Sequence, residues 1–388
     1  MSNESDLQEF HGSDVVLFGC TIDMSNIFYD GVVQRLHREQ WTVHTASSPG
    51  PVGERLFRDH AHIHALAMQR GISPLRDLVS LVRWVRLLAK VRPQVVVLGT
   101  PKASLLGGIA ARILRVPHIV YFVLGLRAEL TEGFLGRILS AAEHLTLRSA
   151  HHILAISPSL RRELGAAHPQ IEGRVNVLGF GGINGVDTGR FAPPTPQRRT
   201  AERRRWNLPE GAFVAGFVGR LHPDKGGDFL LDLVHDDALS QLDIHLLVIG
   251  DIEGEALRAR VDTLQSQGRL TVTGWVETPE SAMAAVDIVL HPTMREGLGM
   301  VLLEAQAMQI PVVTNRVTGT VDSVQGEVGG FFAQADSIRH WADTIAALAA
   351  DDGERLATGR RGREFVVTRF DRERVVTLFS DYLSSLRQ

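Results

Sequence analysis

Short apolar runs of four to six residues alternate along this chain with longer stretches in which apolar positions recur every three or four residues. The first kind reads as strands buried on both faces, the second as helices lying over them. Residues 15–19 form such a strand, followed by a polar loop and a helical pattern over 27–39. Strands at 42–46, 94–98, 119–123 and 152–156 then alternate with helices at 75–91, 105–114 and 135–149, and a short strand at 175–178 follows. Such alternation demands right-handed crossovers and a parallel sheet, so the first half is a doubly wound α/β domain. Residues 179–189 hold five glycines and are followed by Pro193-Pro194-Thr195-Pro196 and a basic run at 198–205, the composition of a linker or hinge. The alternation restarts with 213–218, 228–233, 244–249, 255–265, 270–272, 282–286, 288–290, 301–308 and 311–315. Helical patterns at 337–350, 353–370 and 372–386 close the chain. Two Rossmann-like domains are expected, 1–185 and 186–367, with no internal repeat.

Length agrees, since 388 residues exceed what one core supports at about 150 residues per domain. An apolar share of 44% with 22% charged residues excludes disorder, collagen and coiled coil. The single Cys20 excludes an internal disulfide and a cysteine-cluster zinc site, which fits a reducing compartment. Residues 1–12 are polar and acidic, unlike a secretory leader, and the longest apolar run, 119–126, is far short of a membrane span of about 20 residues. A cytoplasmic setting is expected. The first half is slightly basic and the second acidic, with a net charge of -3 and no basic stripe interleaved with aromatics, so a nucleic-acid partner is not expected. His62, His64, His151 and His152 lack carboxylate or cysteine partners at ligand spacing, and no metal site is proposed. In the helix 75–91, Leu75, Leu78, Val79, Val82 and Val85 lie on one side and Arg76, Arg83, Arg86 and Lys90 largely elsewhere. That is the pattern of a core-facing helix with a solvated basic face; the second setting that suits it is an anionic membrane surface.

The chemistry concentrates in two segments of the second half. In Phe217-Val218-Gly219-Arg220-Leu221-His222-Pro223-Asp224-Lys225-Gly226-Gly227, two cations flank a glycine turn that ends a strand, where backbone N–H groups approach a phosphate and the cations neutralise it. In Glu296-Gly297-Leu298-Gly299-Met300-Val301-Leu302-Leu303-Glu304, a glycine-relaxed turn runs into a helix whose N-terminus favours an anion. Its two carboxylates stand a little over two helical turns apart and so share one side. Glu304 sits among apolar neighbours, where an unpaired charge would be costly without a ligand. In the first half, the loop after the first strand places Thr21, Asp23 and Ser25 where doubly wound domains bind ligands, although Asp23 and Ser25 also suit helix capping. Cys20 beside them reads as a small filler.

These residues resemble the retaining, nucleotide-sugar-dependent glycosyltransferases of family four, which have the GT-B fold: Gly219-Arg220 with Lys225-Gly226, Glu296 and Glu304, and Pro311-Val312-Val313. Ser47-Ser48-Pro49-Gly50, Thr100-Pro101-Lys102-Ala103 with Leu106-Gly107, Thr131-Glu132-Gly133, Asn184-Gly185-Val186-Asp187 and Thr318-Gly319-Thr320 are similar to the subgroup that builds bacterial capsule and exopolysaccharide repeats. The resemblance implies two Rossmann-like domains facing a cleft, the first binding the acceptor and the second the sugar nucleotide, with a last helix from about 368 packing back on the first. It implies Arg220 and Lys225 on the diphosphate, Glu296 on the donor sugar and Glu304 on the ribose. Backbone near Gly219, Gly297, Leu298, Gly299, Met300 and Val301 would meet phosphate and sugar, and Trp275 and Val276 the base. Lys102 and Arg127 would stand on the acceptor side. The subgroup carries a histidine where this chain has Leu124, so Arg127 or another group substitutes or the sugar preference differs.

The activity so implied is transfer of a hexosyl group from a nucleoside diphosphate sugar, UDP foremost, to an acceptor hydroxyl with retention, without cofactor or metal. The acceptor would be a saccharide or lipid-linked saccharide, with the enzyme cytoplasmic or peripheral at the inner membrane face. Three alternatives stay open: glycosylation of an antibiotic-type metabolite, sugar-nucleotide epimerisation, and a non-catalytic sugar-nucleotide-binding partner, the last favoured by Leu124.

Overall fold

The computed structural model describes residues 14–69, 71–125, 133–235, 239 and 243–387. Among these, the first sheet contains β1 (Val15–Gly19), β2 (Thr42–Ser47), β3 (His62–Ala65), β4 (Val95–Leu98), β5 (His118–Val123), β6 (His152–Ala155) and β7 (Val175–Asn176). Their spatial order is β3-β2-β1-β4-β5-β6-β7. The second sheet contains β8 (Phe213–Val218), β9 (Ile244–Ile249), β10 (Leu270–Val272), β11 (Ile288–His291), β12 (Val312–Asn315) and β13 (Gly330–Ala333), in the order β10-β9-β8-β11-β12-β13. Pairing is parallel throughout, as in Val16 with Val95 and Val289 with Val312. All of Val95-Val96-Val97-Leu98 is buried, as expected of a strand covered on both faces. Each sheet reverses its winding once, between β1 and β4 and between β8 and β11. At such a switch point the crossover helices leave to opposite faces, and a crevice opens outside the carboxyl ends of the two strands.

The chain divides into two compact units. One comprises the chain up to Ile156, Leu164–Gly179 and the stretch from Val375; the other comprises Ser157–Glu163 and Phe180–Arg374. The boundary thus lies at 179/180 rather than 185/186, and Ser157–Glu163 belongs with the second unit although the strand before it belongs with the first. Trp84, Leu88, Val96 and Leu98 anchor one core, and Phe217, Leu246, Val248 and Trp341 the other. The last helix, Arg372–Ser384, packs on the first unit: Phe379 meets Phe122 edge-on with ring centres 5.6 Å apart, the Ser380 hydroxyl donates to the Glu39 carboxylate, and Arg387 pairs with Asp14 at 2.7 Å.

Four features depart from the sequence pattern. The basic run read as linker is a helix, Pro196–Arg205, capped by the Thr195 hydroxyl, which accepts from the Arg198 N–H at 3.2 Å. It has no buried residue, so periodicity carries no trace of it; Arg199 and Arg203, one turn apart, hold it by sharing the carboxylate of Asp287. Helices Pro51–Phe57 and Pro158–Ala167 and strands β3 and β13 are too short or too polar to give a clear period. The pattern at 282–286 belongs to a helix that starts earlier, Pro279–Met283. The fourth departure is the helix Pro74–Val91, which buries Ser80, Trp84 and Leu88 instead of the broader apolar side. Leu75, Leu78, Val79 and Val82 are 82%, 59%, 50% and 41% exposed, so this stripe is not core-facing.

Candidate active site

Two loops meet at the switch point of the second sheet. After β8 the chain passes through Gly219 and Arg220 into the turn Pro223–Lys225 and the helix Gly227–Val234; after β11 it runs from His291 through Glu296 into the helix Met300–Ala307. Gly226 sets how closely the loops approach. Its φ is +73°, and a Cβ there would stand 1.9 Å from the carbonyl oxygen of Pro292, so only glycine fits. The contact brings Lys225 beside Glu296, with Nζ donating to Oε1 at 2.5 Å, both side chains largely buried. His291, 3% exposed, donates from Nε2 to the same oxygen at 2.9 Å. Burial by itself would raise the Glu296 carboxyl; the hydrogen bond and charge of His291, reinforced by Lys225, hold it below the usual carboxylate range. Glu296 is therefore an ionised acceptor at neutral pH, suited to receive sugar hydroxyls and unsuited to act as an acid.

The turn that carries Glu296 is braced from behind. Gly319, at φ +80°, places its α-carbon where a Cβ would lie 2.8 Å from the Gly297 backbone. The Ser157 hydroxyl donates to the Gly297 carbonyl at 2.6 Å, and Ser159 accepts from the Gly319 N–H at 2.7 Å while its own N–H donates to Asp322 at 2.9 Å. Leu298 is buried beneath the turn, and Gly299, at the N-cap of Met300–Ala307, offers no side-chain acceptor to the first N–H groups. Met300 and Val301, partly buried, open that helix. Uncapped N–H groups at the start of this helix, four residues past Glu296, make an anion-accepting end.

Glu304 lies on the same helix with Arg190, Glu280 and Arg372 around it. Loss of hydration raises its carboxyl to about 7, with the two arginines opposing and Glu280 adding to the rise. Arg190 itself is held at 2.9 Å by Glu280. Trp275 and Val276 follow β10, two strand positions from β8, where the Trp275 N–H donates to Asp251 at 3.0 Å and the ring is 68% exposed. Arg220 does not join the Lys225–Glu296 pair: it is exposed and bonded to the Glu253 carboxylate, which it holds below the usual range.

In the first unit the loop after β1 is turned inward. Thr21 bonds through its hydroxyl to Thr100 at 2.9 Å and accepts from the Ala103 N–H at 3.2 Å, tying the ends of β1 and β4 together. Asp23 accepts from the N–H groups of Val52 and Gly53 at 2.6 and 2.8 Å and from the Asn26 amide. It caps the helix Pro51–Phe57 across the loop, so its carboxylate is already engaged by backbone. Ser25 is partly exposed. Lys102 pairs with Asp77 at 2.7 Å and donates to the Gly71 carbonyl. Arg127 lies outside the described residues, as do Thr131 and Glu132. Burial pushes the Cys20 thiol up to about 12, removing it as a nucleophile at neutral pH. Among the described residues no group of three or more His, Cys, Asp or Glu side chains is arranged to hold a metal ion.

Sequence reasoning did not find His291, Ser157, Ser159 or Asp322. His291 left a signal, a polar residue ending an apolar strand five positions before a glutamate; the serines, some 140 to 160 positions from their partners, left none.

The chain matches two family models, "Glycosyl transferase 4-like domain" over residues 29–181 and "Glycosyl transferases group 1" over residues 212–351. It is 33% identical to the "Capsular polysaccharide biosynthesis glycosyltransferase CapM" of Staphylococcus aureus, covering 90% of this chain and 91% of that one. It is 24% identical to the "UDP-Gal:alpha-D-GlcNAc-diphosphoundecaprenol alpha-1,3-galactosyltransferase" of Escherichia coli, over 81% and 82%. Its fold matches that of Anabaena Alr3699/HepE, solved in complex with UDP and glucose, with TM-score 0.80 and 21% identity over 95% of this chain and 99% of the other. With two doubly wound units and a lysine, glutamate and helix N-terminus gathered at the switch point of the second, the chain belongs to the group 1 glycosyltransferases of GT-B fold and is a glycosyltransferase.

Proposed function

We propose that this enzyme transfers a hexosyl group from a nucleoside diphosphate sugar, UDP foremost, to a hydroxyl of a saccharide or lipid-linked saccharide in bacterial surface polysaccharide assembly, with retention. The observation that carries the reading is the Lys225–Glu296 pair, with Glu296 in the turn that leads into an uncapped helix: a cation and backbone dipoles for the departing diphosphate, an ionised carboxylate for the sugar. Such preorganised charge acts where the leaving group develops its own, and it is worth most in a partly dry site. On this reading the phosphate displaces Glu296 from Lys225, Arg220 swings from Glu253 to the diphosphate, and Glu304 accepts the ribose hydroxyls. Because those groups supply the positive charge, turnover should survive chelation of divalent ions. The UDP assignment is supported by the UDP-Gal donor of the Escherichia coli galactosyltransferase and the UDP bound to the Anabaena protein, and retention by the family resemblance.

The test is a thermal-shift and product-release screen of the full chain against UDP-, GDP- and dTDP-sugars. One sugar nucleotide should stabilise the protein and release its nucleoside diphosphate; a folded sample that responds to none would overturn the proposal. Glu296→Ala should lower turnover far more than nucleotide affinity, and equal losses would remove its assigned role.

The exposed stripe Leu75, Leu78, Val79 and Val82, flanked by Arg76, Arg83, Arg86 and Lys90, supports docking on an anionic bilayer, where a lipid-linked acceptor resides. The chain should co-sediment with vesicles containing phosphatidylglycerol, less so at high salt, and not with pure phosphatidylcholine; L75S/L78S should abolish the binding. Absence of lipid dependence would favour the second reading, a soluble small-molecule acceptor. That reading draws on 29% identity to the "2-deoxystreptamine glucosyltransferase" of Streptomyces kanamyceticus over 69% of this chain.

A further inference from the structure

His291 contributes one polar contact to the site and, among the described residues, has no other for its ring. Nε2 donates to Glu296 Oε1 at 2.9 Å, while Nδ1 is buried without a partner. An ionised carboxylate only accepts, so the proton of this bond sits on Nε2. A buried ring nitrogen left unpaired is a cost that a leucine at the end of β11 would avoid. What leucine could not do is donate to Glu296. The backbone is held independently, since the Thr314 hydroxyl donates to the His291 carbonyl at 2.8 Å, so the ring is not needed to shape the strand end. Both hydrogen bonds to Glu296 fall on the same oxygen, Nζ of Lys225 at 2.5 Å and Nε2 of His291 at 2.9 Å. When a diphosphate draws Lys225 away, His291 is the partner that stays.

We propose that His291 is a positioning residue: its Nε2–H clamps Oε1 of Glu296 and leaves Oε2 to receive the donor-sugar hydroxyls, so the carboxylate keeps its orientation after Lys225 turns to the phosphate. This rests on the reading of Glu296 as the sugar-binding carboxylate. The titratable groups that face Glu296 are Lys225, from the turn after β8, and His291 itself, from β11. Removing the His291 donor therefore also lets the Glu296 carboxyl rise.

The test compares H291Q, H291N and H291L with wild type, using the sugar nucleotide selected by the screen above, UDP-glucose being tried first. A glutamine amide nitrogen reaches the place of Nε2, whereas that of asparagine falls near the unpartnered Nδ1. H291N and H291L should lose about a hundredfold in kcat, with KM and affinity for the free nucleoside diphosphate changed less than about threefold, and H291Q should recover at least about tenfold of the loss. The acid limb of kcat should move to higher pH in H291L. The proposal is overturned if glutamine rescues no better than asparagine, if the acid limb stays in place, or if kcat and nucleotide affinity fall together. Should H291L fail to fold, the glutamine and asparagine pair carries the comparison. E296Q runs in parallel: an active E296Q sinks the underlying reading of the site, whereas an inactive E296Q with indifferent His291 variants sinks this inference alone.

Discussion

Glu304 offers a prediction whose size follows from its surroundings. Its carboxyl is raised from an ordinary 4.5 to about 7, chiefly by lost hydration. At 1.36 kcal/mol per unit, ionising it in the folded chain costs about 3 kcal/mol more than in the unfolded one. The sign follows from the direction of the shift. A carboxyl raised in the folded state favours folding while it is protonated in both states, below about pH 4.5, and that advantage is lost as pH rises through 7. Glu304→Gln keeps the shape and removes the titration. The variant should therefore exceed wild type by no more than about 1 kcal/mol near pH 5 and by about 3 kcal/mol at pH 8.5. For a unit of this size that corresponds to a rise of roughly 6 °C in Tm. Melting both proteins across this pH range, without nucleotide, makes the comparison, and differencing at each pH cancels the titrating groups that are not coupled to Glu304. A difference flat with pH would refute the reasoning, since the cost of charging this partly buried carboxyl would then not exist. The stabilised variant should bind the nucleoside diphosphate more weakly if Glu304 accepts from the ribose, so the carboxylate trades stability for affinity.

Three further outcomes are expected. Gly226→Ala must push back the Pro292 carbonyl and adopt a left-handed backbone, so it should pull Lys225 from Glu296 and cut donor turnover at least about tenfold, read by steady-state kinetics. Asp287→Ala leaves Arg199 and Arg203 without their shared carboxylate and the Val214 N–H without its acceptor, and should destabilise the second unit by about 3 kcal/mol, measured by denaturant unfolding. Asp23→Ala uncaps Pro51–Phe57 and should lower stability by about 1 to 2 kcal/mol; if turnover falls while the melting temperature holds, Asp23 touches the acceptor after all.

Much of this molecule is legible in its sequence because the relevant physics is local. A parallel strand buried on both faces must be apolar throughout, so β1, β4, β8 and β9 announce themselves, and the helices between them follow from period and length. The glycines of the two site loops and the residues Lys225, Glu296 and Glu304 stand out for the same reason: each interrupts an apolar pattern, Lys225 and Glu296 in the loops that follow strands and Glu304 within the apolar helix Met300–Ala307. The family resemblance added which of them is expected to meet phosphate and which sugar.

Tertiary structure alone decided which polar groups are engaged and which are free. Nothing in the run 198–205 tells that Arg199 and Arg203 converge on Asp287 and make it a helix, nor that the apolar side of Pro74–Val91 faces outward while a narrow ridge of Ser80, Trp84 and Leu88 faces in. Arg220 and Lys225 look equivalent in sequence, yet one lies on Glu253 in solvent and the other on Glu296 in the site. Asp23 looks like a ligand and is a cap; His291 looks like a strand residue and is the second donor to Glu296. The reason is common to all of them. Backbone pattern is set by a residue's own neighbours, whereas the partner of a charged or polar side chain is set by which loops the switch point of a sheet brings together, over separations along the chain that no periodicity spans.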